Sequence, residues 1–281
     1  MRELLAAAGL QLRVAKRLAT RRGVPLRERV GPLDDRFVFV LGSPRSGTTF
    51  LAGVIGSVPG FVDLGEVAPL KAAIPELAGL EPDQSAARLR KILSLARRVG
   101  LVGSVRPVEQ TPEMAHLVTA AAIAFPQARF VHILRDGRDV ACSLLERRWL
   151  GPFGNGRDDA GVPYGSYARF WVEPERRDEF EHASDARRAA WAWRRYVTAA
   201  RVAGDTALEL RYEDLVTDPE TTAETLAAFL EAPIYPFRRA LHAAHAGSVG
   251  RFRSDLSLAE LAEVLAEAEP LLTELGYEDA D

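Results

Sequence analysis

Four hydroxyl side chains, one arginine and two glycines are crowded into Gly42-Ser43-Pro44-Arg45-Ser46-Gly47-Thr48-Thr49. The stretch follows an apolar run at residues 37–41 and opens a helical pattern. That is the context in which backbone N–H groups and a helix amino terminus cradle a phosphate. Its spacing matches G-x-x-x-x-G-K-[ST], except that Thr48 stands where the lysine belongs. A nucleoside triphosphatase puts that lysine on the β- and γ-phosphates and the adjacent hydroxyl on magnesium. With Arg45 as the cation of the loop and Ser46, Thr48 and Thr49 as hydroxyl donors, the loop suits a terminal group of fewer charges. A sulfate esterified to a phosphate is one such group.

A second group of chemically useful residues begins at Arg135, which closes the β-prone run 129–134, and reaches Ser143 in the helical pattern that follows. Both can face the crevice at the carboxyl ends of parallel strands, where open α/β sheets bind ligands. The planar fork of arginine suits a phosphate dianion. Arg138 and Asp139, lying between them, read as a solvated ion pair of little energetic weight.

The elements that must position these residues follow from pattern. Residues 37–41 lack polar alternation and read as a strand buried on both faces, as in a parallel sheet. Residues 129–134 and 207–211 are further strands, with a weaker one near 102–108. Helical patterns cover 48–57, 112–125, 137–148, 185–203, 219–230 and 258–275. Asp218-Pro219 supplies an N-cap before proline at the first helical position, and Ser257 with Glu260 fits a capping box. Strands alternating with helices predict an α/β fold of phosphate-loop type, with a central, mostly parallel sheet between two helical layers. No linker-like shift divides the middle of the chain, so residues 36–281 are expected to form one domain, preceded by a helical arm and linker over 1–35.

Composition narrows the classes of function. The chain has 281 residues, 47% hydrophobic and 27% charged, which fits a globular rather than a disordered protein. A net charge of −3 gives no reason to expect nucleic acid as a partner. Cys142 is the single cysteine, which excludes an internal disulfide framework and a Cys-rich zinc site, and no His/Asp/Glu group has metal-ligand spacing. No apolar run approaches the ~20 residues that span a bilayer. Residues 1–22 lack a secretory pattern, so a cytoplasmic protein is expected. Those residues interleave Arg2, Arg13, Lys16, Arg17, Arg21 and Arg22 with leucines. The pattern allows peripheral contact with an anionic membrane or, more simply, an arm packed on the domain.

Four segments together resemble the sulfotransferases that use 3′-phosphoadenosine 5′-phosphosulfate (PAPS). Ser43-Pro44-Arg45-Ser46-Gly47-Thr48-Thr49 is similar to their 5′-phosphosulfate loop. Phe130-Val-His-Ile-Leu-Arg135-Asp-Gly-Arg-Asp-Val-Ala-Cys-Ser143 is similar to their second motif, in which the arginine and the serine hold the 3′-phosphate. Leu210-Arg211-Tyr212-Glu213-Asp214-Leu215 resembles a third recurring element, and Gly250-Arg251-Phe252-Arg253 a basic loop that closes over the nucleotide. The resemblance implies transfer of a sulfuryl group from PAPS, as co-substrate, to a hydroxyl of a small molecule or glycan such as a sugar, lipid or natural product. Tyr212, Arg251 and Arg253 would complete the nucleotide site.

The same resemblance makes Glu66, in Asp63-Leu64-Gly65-Glu66, the base that takes the acceptor proton, with Arg45 as the catalytic cation. His116 is the rival base, because another branch of the family uses histidine. Glu109-Gln110-Thr111-Pro112 resembles a segment that usually reads Glu-Lys-Thr-Pro. Gln110 removes a cation there, for which Arg45 or Arg106 could substitute. Cationic and hydroxyl donors around the sulfuryl oxygens would make a metal unnecessary. Residues 149–182, irregular and carrying Phe153, Tyr164, Tyr167, Phe170 and Trp171, read equally well as a lid over the acceptor or as an apolar cluster holding a long loop down. Trp191 and Trp193 read as packing residues. Two rival functions are a kinase or nucleoside triphosphatase with Asp136 at magnesium, and a catalytically silent nucleotide-binding module, for which Gln110 is the motive.

Overall fold

The computed structural model describes residues 35–98, 105–147, 149–150, 169–244 and 246–277, together with Leu12 and Lys16. Nearly all of the expected arm lies outside the described residues. In chain order the elements begin with β1 (Val38–Leu41), α1 (Thr48–Gly56), β2 (Phe61–Gly65), α2 (Ala68–Leu77) and α3 (Pro82–Arg98). Then come β3 (Arg106–Glu109), a 3-10 turn at Pro112–Leu117, α4 (Val118–Ala124), β4 (Arg129–Leu134) and α5 (Gly137–Leu145). The second half carries α6 (Arg177–His182), α7 (Asp185–Ala200), β5 (Ala207–Arg211), α8 (Tyr212–Thr217) and α9 (Pro219–Leu230). It closes with α10 (Ile234–Leu241), α11 (Phe252–Asp255) and α12 (Leu258–Glu274).

The sheet is five-stranded in the order β2-β3-β1-β4-β5, and every neighbouring pair is parallel. β1 is its centre, and its side chains divide between two cores as the pleat requires. Phe37, Phe39 and Leu41 join α2, α3, α4, α5, α7 and α12 on one face. Val38 and Val40 join α1, α9 and α10 on the other. Burial of this kind is worth roughly 1.5–3 kcal/mol for each large apolar side chain. The strand order reverses at β1, so the loop after β1 opens between the carboxyl ends of β3 and β4, the position where such sheets bind ligands.

Several elements differ from the sequence reading. The strand expected near 102–108 is Arg106–Glu109. β2 was not anticipated: it is short, and Asp63 and the closing Gly65 interrupt its apolar run. α2 and α3 were not anticipated: α2 contains Pro75, and the exposed charges of α3 dilute its apolar stripe. The helix expected over 112–125 divides into the 3-10 turn and α4, because Pro112 starts a tighter turn. The helix expected to reach 203 stops at Ala200, where a 3-10 segment carrying Gly204 at φ 51° takes over. Within the segment read as irregular over 149–182, residues 174–182 form a 3-10 turn and α6. Phe153, Tyr164 and Tyr167 lie outside the described residues. The two cap signals are realised: Asp218 accepts the Thr221 N–H, and Ser257 and Glu260 form a reciprocal capping box.

Candidate functional site

The loop between β1 and α1 is held in its turn by two backbone conformations. Arg45 sits at φ 73° and Gly47 at φ 98°. Gly47 is also the N-cap of α1, and it supplies no side-chain cap to that helix end. A Cβ at Gly47 would lie 2.8 Å from the Tyr212 ring, and one at Gly42 would lie 2.7 Å from the Ile133 carbonyl oxygen. Both glycines are therefore required by the close approach of β4 and α8. Ser43, Ser46 and Thr48 are buried. Ser46 Oγ has no hydrogen-bond partner among the described residues. Pro44 shapes the turn, and Thr49, exposed on the first turn of α1, donates to Gln110 Oε1 at 3.3 Å.

Arg135 lies at the end of β4 and knits three segments together. Its Nη1 donates to the Arg45 carbonyl oxygen at 3.0 Å and its Nη2 to the Ser248 carbonyl oxygen. Its guanidinium stands 4.6 Å from the Tyr212 ring centroid, and the Tyr212 hydroxyl is 2.9 Å from Ser248 Oγ. Arg135 Nε, by contrast, is buried without a partner. Arg45 Nε donates to Ser143 Oγ at 2.9 Å, so the loop arginine and the helix serine meet directly. The Arg135 carbonyl accepts from Trp193 Nε1 at 2.9 Å, and a Cβ at Gly137 would strike that indole at 2.6 Å. Trp193 therefore fixes the strand end as well as filling the core.

The expected solvated pair of Arg138 and Asp139 is overturned by burial: they are 3% and 0% exposed. Arg138 pairs with Asp136 at 2.9 Å and covers the Phe252 ring at 4.1 Å. The Asp139 carboxylate accepts the backbone N–H groups of Gly250 at 2.7 Å and Phe252 at 3.0 Å, which pins the C-terminal loop beside Arg135. Burial pushes the Asp139 carboxyl above its ordinary range, and those two N–H bonds oppose the push. In that loop, Arg251 is engaged by Glu146 and Asp255, and Arg253 lies 4.7 Å from the Phe252 ring centroid.

Across the crevice, Glu66 follows β2 and its side chain is 31% exposed. The β2–β3 register sets Gly65 opposite Glu109, and the Val67 N–H donates to Thr111 Oγ1 at 3.3 Å. Glu66 and Gln110 thus sit on adjoining strand ends. A residue absent from the sequence reading joins them: Lys71 on α2, 2% exposed, places Nζ 2.6 Å from Glu66 and 3.7 Å from Glu113. A lysine set in the apolar run Leu70-Lys71-Ala72-Ala73-Ile74 was the available signal. Ser248 gave none. Arg106 cannot stand in for the missing cation, because it begins β3 at the opposite end of the sheet and donates to the Leu230 carbonyl. His116 packs edge-on against Phe170 and Tyr196, and burial holds it down at about 3, a weak base. It lines a separate cavity of about 260 Å³ with Ser85, Leu117 and Val202.

Glu109 is fully buried, and burial pushes its carboxyl from 4.5 up to about 8 despite bonds from Thr111. Between those limits the folded chain keeps a proton that the unfolded chain has lost, so stability falls as pH rises. Glu109→Gln removes this slope. Urea denaturation is expected to show the variant gaining on the parent by up to ~1.4 kcal/mol per pH unit across that window.

A switch-point phosphate loop with arginines converging on it defines a nucleotide-binding α/β protein. Residues 38–236 match the Sulfotransferase family, and the chain belongs to it. The sulfotransferase domain from the curacin biosynthetic pathway shares 15% identity at a TM-score of 0.52, over 86% of this chain and 98% of that one. The sulfotransferase domain of the Synechococcus PCC 7002 olefin synthase shares 18% identity at 0.52, over 93% and 100%. Sulfotransferase STF9 from Mycobacterium avium shares 15% at 0.52, over 100% and 85%. These likenesses show a common fold. An uncharacterized protein of Aquifex aeolicus (strain VF5) is 30% identical over 136 residues, and the match spans 42% of this chain and 18% of that relative's length.

Proposed function

We propose that this protein transfers a sulfuryl group from PAPS to an acceptor hydroxyl of a small molecule or glycan, using Glu66 as base. The observation that carries the reading is a pair of buried donors at one crevice with no partner among the described residues: Ser46 Oγ in the loop and Arg135 Nε beside it. Buried donors in that state are costly unless a ligand or water takes them up, and here both flank the amino end of α1. Loop N–H groups, with Arg45, Ser46, Thr48 and Thr49, receive the 5′-phosphosulfate. Arg135 and Ser143 receive the 3′-phosphate, with Tyr212 and the loop of Arg251 and Arg253 alongside.

PAPS supplies the activated sulfuryl group. The acceptor oxygen bonds to sulfur as the bond from sulfur to the bridging phosphate oxygen breaks. The electron pair leaves with adenosine 3′,5′-bisphosphate, and the acceptor proton passes to Glu66. Loop N–H groups, hydroxyls and Arg45 meet the charge on the sulfuryl oxygens without a required metal. We assign the activity to a domain over 36–281 acting in the cytoplasm. Among the described residues no helix is long and apolar enough to cross a membrane.

Asp136 argues against the triphosphatase reading, because Arg138 engages both of its carboxylate oxygens. Calorimetry tests the proposal. Adenosine 3′,5′-bisphosphate without magnesium should bind at least ~tenfold more tightly than ATP with magnesium, about 1.4 kcal/mol. The reverse order would overturn it. Tight bisphosphate binding, with no sulfate passed from labelled PAPS to any component of a cell lysate, would favour the silent module.

A further inference from the structure

We infer that Lys71 is the positioning residue of the sulfuryl-transfer site, and that it passes its charge between Glu66 and Glu113 as Glu66 takes up a proton. The inference rests on Glu66 being the base. Three observations support it. The position where a lysine is expected holds Gln110, which is bonded to Thr49. Of the two arginines that could replace it, Arg106 is engaged elsewhere, with the Leu230 carbonyl at the far end of the sheet. Lys71, meanwhile, is 2% exposed and has two carboxylates at unequal distances, 2.6 Å to Glu66 and 3.7 Å to Glu113.

The geometry explains why both carboxylates are present. A buried ammonium is stable only while paired. When Glu66 accepts the acceptor proton it becomes neutral and ceases to be a counter-ion. Glu113, 1% exposed on the 3-10 turn, lies beyond hydrogen-bonding range in the resting state. A movement of Lys71 Nζ by roughly 1 Å brings it within range. The ammonium then never stands unpaired, and loss of the proton from Glu66 reverses the movement. Among the described residues, Glu109 on β3, which burial holds at about 8, and the Tyr196 hydroxyl on α7, 3.4 Å from Glu113 Oε1, also face this cluster.

The experiment follows the Glu66 carboxyl by NMR in ¹³C-glutamate-labelled protein saturated with adenosine 3′,5′-bisphosphate, its resonance assigned by its loss in Glu66→Gln. Lys71→Met should raise the pH midpoint of Glu66, since the ammonium at 2.6 Å favours the charged carboxylate. Glu113→Gln should lower it, since Lys71 then loses its second carboxylate. Lys71→Arg should restore most of the parental value. Shifts of opposite sign at one carboxyl are not produced by general loosening. An unmoved midpoint in Glu113→Gln overturns the charge passage, and that isosteric variant decides the matter if Lys71→Met does not fold. If midpoints stay put while Glu66→Gln is inactive, the role of Lys71 fails alone. If Glu66→Gln turns over normally, the base assignment itself has failed.

Discussion

Glu66→Gln is expected to lower kcat by ~10²–10⁴-fold, the usual contribution of a positioned base. Binding of adenosine 3′,5′-bisphosphate should be unchanged. Glutamine keeps the shape of the side chain and can still accept from Lys71, which now holds Glu66 at 2.6 Å. What it loses is the ability to take a proton. The phosphate loop and Arg135 stand across the crevice on other elements, so nucleotide affinity has no reason to fall. Turnover of labelled PAPS measured beside calorimetric binding separates the two quantities. A variant that turns over as fast as the parent would remove Glu66 from the chemistry.

Arg135→Ala should weaken adenosine 3′,5′-bisphosphate binding by ~100-fold or more, about 2.7 kcal/mol, the scale of a lost charge-assisted arginine–phosphate contact. The guanidinium ties the Arg45 carbonyl to the Ser248 carbonyl and lies over Tyr212, with Nε still available for an anion. The control is adenosine 5′-monophosphate, which lacks the 3′-phosphate and should lose much less affinity. Equal losses for the two ligands would mean that Arg135 supports the loop and does not hold the 3′-phosphate. Arg135→Lys should recover part of the loss, because lysine restores the charge without the planar fork.

The proposed roles of these two residues came from the sequence for different reasons. Arg135 ends a run of β-prone residues, and the loop residues 42–49 sit between a strand pattern and a helix pattern, so local order along the chain placed them. Glu66 was legible by resemblance alone, since β2 had no strand signal of its own. Lys71 and Glu113 were not read as site residues, because their meeting depends on how α2 packs beside the 3-10 turn. Arg138 and Asp139 were misread. Charge spacing along a helix does not reveal which face the fold covers, and here Phe252 and Gly250 arrive from more than a hundred residues away.

The amino-acid order by itself determined the parallel α/β character of the sheet, the phosphate loop, the absence of its lysine and the capped helices. Each of these is signalled by patterns a few residues long, where propensity and periodicity act. Only the tertiary structure decided that Arg45 meets Ser143, that Asp139 anchors the C-terminal loop, and that Lys71 occupies the ground beside Glu66. Those pairings join residues distant in the chain, and they depend on which faces are buried when the two cores close around β1.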